Sequence, residues 1–382
     1  MGSLFVGCAC SIRILSIVSD SLEVRRAGPE VRDAQARLFW RCFAKPAHVE
    51  ALRWRYDRNP HGQAVSLILA DDDGHAACSF AYVPRLAVSR TIDGKVTEGY
   101  IGQQGDVMTD PDWQRKGLAR RLVQECAKAT GDAGFLFNWG FPNRQSAPVF
   151  LKLEWLSSGA IRPRRHLLTS DGKSKKRRLA DGRVAALRLP WDVMRCARAR
   201  RALGDLPVGY STRVLESFPE AVGGLSRAVE ARYPFMLHRD AEWLNWRFLE
   251  TPSRGHVALG LYDPENTFVG YVVIQPPRAE LDSGVGYLVD FLVPDAGLED
   301  ALLHRAIDAL EARGASVVES WSVDGSWWRG KLERAGFLAA KPENHLFVYH
   351  FPLAPEHPFA EAALDASTWY LTDGDRDDEL MG

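Results

Sequence analysis

Apolar positions along the chain follow two rhythms, and the order of those rhythms occurs twice. The runs "VSLILAD" (65–71), "CSFAYVPRLAV" (78–88), "HVALGLYD" (256–263) and "FVGYVVIQP" (268–276) are short, apolar and bounded by turn residues. That pattern predicts strands. Residues 115–130 and 298–313 instead place apolar side chains every three or four positions, which predicts amphipathic helices. In the first of these, Leu118, Leu122 and Cys126 face a core, while Arg120, Arg121, Gln124 and Lys128 face water. A buried strand follows each helix, in "GFLFNWGF" (134–141) and "SVVESWS" (316–322). Short helices then follow in "SAPVFLKLEW" (146–155) and "SWWRGKLERAGF" (326–337).

The repetition extends to individual residues. "ALRWRYDRNP" (51–60) recurs as "WLNWRFLETP" (243–252), with Trp54 matching Trp246, Arg55 matching Arg247 and Tyr56 matching Phe248. The register continues into the next strand, where Val65, Leu67, Leu69 and Asp71 match Val257, Leu259, Leu261 and Asp263. After a small deletion, Asp106 pairs with Asp290 and Trp139 with Trp321. Two divergent copies of one unit explain this pattern. The Trp-Arg-aromatic blocks read as core anchors whose arginines close internal carboxylate contacts. Strands that meander before the central helix predict an α/β fold with a mixed, mostly antiparallel sheet and helices on both faces. The expected division is an N-terminal extension (1–21), a front unit (22–168), a basic linker and helix (169–207), a rear unit (208–352) and a tail (353–382). Within the linker, "SDGKSKKRRLADGR" (170–183) reads as a solvated, glycine-flanked basic loop.

Composition narrows the class. The 382-residue chain has a formal net charge of −1, so no global basic bias points to nucleic acid. No run of eighteen apolar residues suggests a membrane span. Six cysteines lack CxxC spacing and histidine partners at ligand spacing, which reads as reduced thiols, no metal and a cytoplasmic setting. The first twenty residues lack the basic n-region of an export signal and read as an edge strand or an unstructured lead.

The densest chemical signal is "TDPDWQRKGLARRL" (109–122). Pro111 ends a strand, Gly117 permits close backbone approach, and the helix start adds unpaired N–H groups, its dipole and nearby cations. This is an anion site of pyrophosphate size. No G-x-x-x-x-G-K-[ST] occurs, and "GVGYL" (284–288) lacks the third glycine and following helix of a dinucleotide fingerprint.

Strand, turn, Q-x-x-G-x-A, amphipathic helix, buried strand and "FPNRQSAPVFLKLEW", in that order, resemble the GNAT acetyltransferases, with two units in tandem. The resemblance covers residues 22–168 well and 208–350 more weakly. It implies an acetyl-CoA (or other acyl-CoA) pyrophosphate on the loop of Gln114, Arg115, Lys116, Gly117, Leu118, Ala119 and Arg120. It also implies pantetheine along Val107, Met108 and Thr109, and a further hydrogen bond from Asn143, which otherwise reads as a turn residue. The rear copy reads "VPDAGLEDALLHR" at the loop position, and Asp295, Glu299 and Asp300 would repel a pyrophosphate. One cofactor site, in the front copy, is therefore expected, with the rear copy shaping a substrate cleft.

Acyl transfer to an amine needs a neutral amine, donors for the developing oxyanion and a fate for the thiolate. Asp106 is the acid nearest the pantetheine strand and the candidate base; Asp290 at the matching place in the copy without a cofactor loop favours a structural role, and ordered water or no dedicated base are the rivals. Gln103 and Gln104 stand where many relatives have a glutamate. Phe150 stands where GNAT enzymes often have an acid tyrosine, so the thiolate would leave without a side-chain proton donor. The tail "STWYLTDGDRDDEL" (367–380) reads by default as a disordered acidic segment; in the alternative its aromatics pin it against the front cleft, with Asp373 and Asp375 binding a cationic amine. The expected activity is N-acyl transfer to a small-molecule amine such as an amino sugar, by a monomer or homodimer without nucleic-acid or membrane partners. A silent acyl-CoA-binding module and an aminoacyl transferase using charged tRNA are the alternatives.

Overall fold

A computed structural model of the chain describes residues 22–44, 48–71, 73–252, 255–279, 283–341 and 346–376. The N-terminal extension with Cys8 and Cys10, and the tail beyond Arg376, lie outside the described residues.

The front half starts with strand β1 (Glu23–Arg26) and helices α1 (Arg32–Phe43) and α2 (Val49–Asp57). An antiparallel meander follows: β2 (Val65–Ala70), β3 (Ala76–Arg90) and β4 (Val96–Gln104), with β5 (Met108–Thr109) returning to β3. Helix α3 (Leu118–Asp132) then crosses to β6 (Asn138–Gly140), which lies parallel to β4. Helix α4 (Ala147–Leu151) leads to β7 (Leu156–Leu167). Three helices, α5 (Gly172–Ala180), α6 (Arg183–Leu187) and α7 (Leu189–Ala202), connect to the rear half.

The rear half repeats the plan. Strand β8 (Ser211–Val214), helix α8 (Ala221–Glu230), strand β9 (Phe235–Leu237) and helix α9 (Ala241–Leu244) come first. Strands β10 (Val257–Tyr262), β11 (Phe268–Gln275) and β12 (Val285–Leu292) precede helix α10 (Glu299–Glu311) and the parallel strand β13 (Val317–Val323). Helix α11 (Trp327–Arg334), strands β14 (Leu338–Ala339) and β15 (Leu346–His350) and helix α12 (Ala360–Ala363) close the chain.

The halves trade their last strands. The sheet runs β1-β2-β3-β4-β6-β15-β7-β13-β12-β11-β10-β8, so β15 from the rear lies beside β6 and β7 from the front lies beside β13. The exchange makes one continuous mixed sheet and satisfies strand edges that separate units would leave open. Beneath the seam sits a shared core in which Phe137, Trp139 and Ile161 from the front half meet Phe235, Val323 and Trp369 from the rear.

Two local features repeat with the sequence. Both Trp-Arg-aromatic blocks end in a wide i→i+5 turn, Arg58 N–H to Arg53 carbonyl (3.1 Å) and Glu250 N–H to Asn245 carbonyl (2.9 Å). Both central strands also bulge. Gln104 lies opposite Tyr82 but Met108 opposite Ser79, so one extra residue sits between them; β12 bulges between Leu288 and Asp290 in the same way. A bulge bends its strand and raises the local twist.

One expectation needs correction. The basic stretch 170–183 is not a plain loop but mostly helix, because Asp171 caps α5 by accepting from the Ser174 N–H at 2.8 Å. Lysine, arginine, leucine and alanine then continue it as good helix formers.

Candidate active site

Parallel pairing of β4 with β6 includes Gly102 opposite Asn138 and Gln103 opposite Trp139, just before the bulge turns the chain away. The resulting splay has Gly105, Asp106 and Val107 on one wall and Phe141, Pro142 and Asn143 following β6 on the other. Met108 is fully buried, whereas Val107 and Thr109 are half-buried. The Thr109 carbonyl is already occupied, accepting from Cys42 Sγ (3.3 Å) and Gln114 Nε2 (3.2 Å). Burial pushes the Cys42 thiol up to about 11 and the Cys78 thiol up to about 12, so neither is a thiolate at neutral pH.

Beyond Thr109, Asp110 caps the short turn Pro111–Trp113 by accepting from the Asp112 N–H. It is buried and held by Arg41 through two hydrogen bonds of 2.5 and 2.8 Å. The Arg41 hydrogen bonds hold its carboxyl below the usual range. This anchor fixes where the next loop begins. Arg115 (φ +63) and Gly117 (φ +80) both take left-handed backbone, turning the loop into the first turn of α3. No side chain caps α3, and a Cβ built on Gly117 meets nothing within 4 Å. Lys116 lies 4.5 Å over the Trp113 ring, and Arg115 and Arg120 are exposed. Leu118 is buried as the foot of the helix and Ala119 half-buried. Uncapped N–H groups, open space over a glycine and three nearby cations fit a pyrophosphate.

Residues 32–155 match the family model described as "Acetyltransferase (GNAT) family". The front unit is a GNAT acetyltransferase domain. No curated protein matches the chain. Among solved structures, a probable N-acyltransferase from Enterococcus faecalis V583, itself described as of unknown function, is similar over 86% of this chain and 72% of that one (12% identity, TM-score 0.58). A tandem GNAT protein from the clavulanic acid biosynthesis pathway matches 86% of this chain and 98% of its own (13%, TM-score 0.53). An N-myristoyltransferase from Saccharomyces cerevisiae with bound myristoyl-CoA matches 88% and 80% (11%, TM-score 0.57). At such identities the likeness shows the fold, and that fold is tandem.

Within the GNAT unit, Asp106 sits on the bulge, its side chain 15% exposed, accepting from the Tyr56 hydroxyl at 2.8 Å and Arg55 Nη1 at 3.3 Å. Asp290 occupies the same bulge in the rear half and is fully buried, held by Arg239, Tyr271 and Thr372. Tyr56 had read only as core, and it differs between copies because Phe248 replaces it. That phenol lies at the splay, where an added Cβ on Gly105 would come within 3.3 Å of its oxygen. Asn143 uses its amide oxygen to accept from the Gln145 and Ser146 N–H groups, so the turn role is realised and only its Nδ2 is left for a ligand. Phe150 is fully buried against Trp155. A groove of about 680 Å³ runs along the C-terminal half of α3, past Lys128, Trp155 and Phe351, and none of the predicted site residues lines it.

The tail is the main correction. Trp369, Tyr370 and Leu371 are buried, as the pinned alternative expects, but the turn after them enters the splay of the rear half, not the front cleft. Gly374 is pressed against it: a Cβ there would meet Phe248 at 2.9 Å, Asp290 at 3.1 Å and the Val289 carbonyl at 3.3 Å. Thr372 and Asp375 close a capping box around Asp373-Gly374. The T-x-x-D spacing of that box was the available sequence signal. Asp375 is fully buried, paired with Arg239 (2.8 Å) and Arg85 (3.4 Å), and its carbonyl accepts from Gln103 Nε2 at 2.7 Å. A carboxylate committed to two buried guanidiniums cannot also bind an incoming amine. Asp373 lies beside Arg376 (3.3 Å) in the rear splay, where burial pushes its carboxyl up to about 6.

Proposed function

We propose that the chain is an acyl-CoA-dependent N-acyltransferase with one cofactor site, in the front unit, acting on the amine of a small molecule. The observation that carries this reading is the asymmetry of the two splays. The front one opens toward a glycine-led helix start ringed by cations, whereas the rear one holds Thr372–Arg376. In this reading residues 22–168 bind acetyl-CoA, residues 208–352 shape the acceptor cleft, and residues 353–376 plug the second copy.

Bound there, acetyl-CoA supplies an activated acyl thioester. Backbone N–H groups from Lys116 to Arg120 hold the diphosphate, and Val107 to Thr109 align the pantetheine through backbone groups. Asp106, oriented by Tyr56 and Arg55, receives the acceptor's ammonium and takes up its proton. The protonated state of Cys42 and Cys78 supports direct attack by the amine over a cysteine-bound intermediate. Thiol release from acetyl-CoA over a panel of amino sugars and small amines tests the reading. Turnover with at least one amine, lost about a hundredfold in D106N, supports it. Acetyl-CoA binding with no thiol release would assign the chain to silent binders.

A further inference from the structure

Helices α6 and α7 carry a feature that acyl transfer does not use. They are joined by Arg188 alone, whose backbone (φ −86, ψ 0) stays near helical. Toward the protein, Leu189, Val193 and Cys196 pack on Leu167 and Val317. A surface helix ordinarily turns polar side chains to the opposite side. Here Val184, Leu187, Trp191 and Met194 follow one another at steps of three, four and three, which stacks them on that outer side. Leu187 is 81% exposed and Trp191 72%. Cations flank the stripe: Arg183, Arg188, Arg195, Arg198 and Arg201 are all exposed.

Charge here opposes the rest of the chain. Between Lys173 and Arg201 there are eleven lysines and arginines against two aspartates, in a chain whose net charge is −1. Both aspartates are engaged inward, Asp181 with Arg165 and Arg178, and Asp192 with Arg178. Arg177 and Arg200 find acids outside the segment, in Glu319, Asp308 and Glu311, while Arg183, Arg188, Arg195, Arg198 and Arg201 make no ion pair among the described residues.

We propose that the outer face of α6 and α7 docks on an anionic lipid surface, lying in the headgroup plane with Leu187 and Trp191 inserted and the arginines on phosphates. An apolar stripe with tryptophan, edged by arginine, is the pattern of an interfacial helix. No helix among the described residues is long and apolar enough to cross a membrane, so the contact lies on the surface. A second copy of this face is a poor occupant, because a two-fold contact would bring the arginines against their own equivalents. Nucleic acid would match the cations but leave the central aliphatic side chains without a counterpart.

Co-sedimentation of the full chain tests this, using phosphatidylcholine vesicles with and without phosphatidylglycerol at about one part in four. Binding at least tenfold tighter to the anionic vesicles is expected. L187S/W191S should lose about tenfold and R188E/R195E/R198E still more, at about fivefold per cation, with thermal melting unchanged because all five sites are exposed. Equal binding to both vesicles, no binding to either, or anionic binding unaffected by L187S/W191S overturns the proposal. A homopolymeric RNA bound as tightly as the vesicles, and equally by L187S/W191S, would assign the face to nucleic acid instead.

Discussion

Trp54 and Trp246, matched by the sequence repeat, stack face to face with ring centres 4.4 Å apart. Each donates its indole N–H to the other's backbone carbonyl, at 3.1 and 3.2 Å. The reciprocal contact places the approximate two-fold relation between the copies at this pair. Both tryptophans serve as core anchors, and what they anchor is the joint between the halves. Truncating either to alanine should cost about 3–5 kcal/mol in urea unfolding. The double variant should cost clearly less than the sum, because each single change already removes the shared stack and both hydrogen bonds. Additive losses would mean the two rings act separately.

The plug in the rear splay makes a second prediction. Asp375, Arg239, Asp290 and Arg85 form a cluster of buried charges. Removing one carboxylate by D375A leaves the buried Arg85 without its carboxylate and Arg239 with only Asp290, and should cost about 3–5 kcal/mol. Deleting residues 367–382 should destabilise the fold further, since Trp369, Tyr370 and Leu371 each bury a large apolar side chain. Unfolding midpoints check both. A tail that instead bound the acceptor would, on deletion, raise KM and leave stability intact.

Asp373 sets a pH dependence. Its carboxyl is raised from 3.8 to about 6, so the folded chain binds more protons than the unfolded one between those values. The stabilising contribution is therefore fully present below about pH 4 and disappears as pH rises through 6. D373N keeps the neutral shape and should gain on the wild type across that window, by on the order of 2–3 kcal/mol at pH 7. Denaturant unfolding of both proteins from pH 4 to 7 tests this. A stability difference that does not change with pH would refute it.

Much of the architecture was legible because it rests on local rules. Turn-bounded apolar runs marked β2 and β3, a 3.6-residue period marked α3, and the matched pairs at Trp54 and Asp106 exposed the tandem plan. The exchange of β7 and β15 was not legible, because both strands would satisfy their hydrogen bonds in either unit. The destination of the tail was hidden for a similar reason. Buried aromatics announce that a segment packs, but Gly374 fits against Asp290 only because the β12 bulge opens a space of that shape. The basic stretch 170–183 was misread by weighting charge over the Asp171 cap. Tyr56 passed as core because its neighbours are core, and its hydroxyl acquires meaning only beside Asp106.

Calorimetric titration with CoA tests the central claim most directly. One molecule should bind per chain, with affinity that falls as salt rises, since cations at Arg115, Lys116 and Arg120 attract the phosphates. G117E should abolish the binding while the protein still melts cooperatively, at a somewhat lower temperature: the side chain has open space and its carboxylate stands where the diphosphate would be, but a non-glycine residue strains the left-handed backbone there. Two molecules per chain, binding that survives in G117E, or no binding by the intact protein would contradict the account.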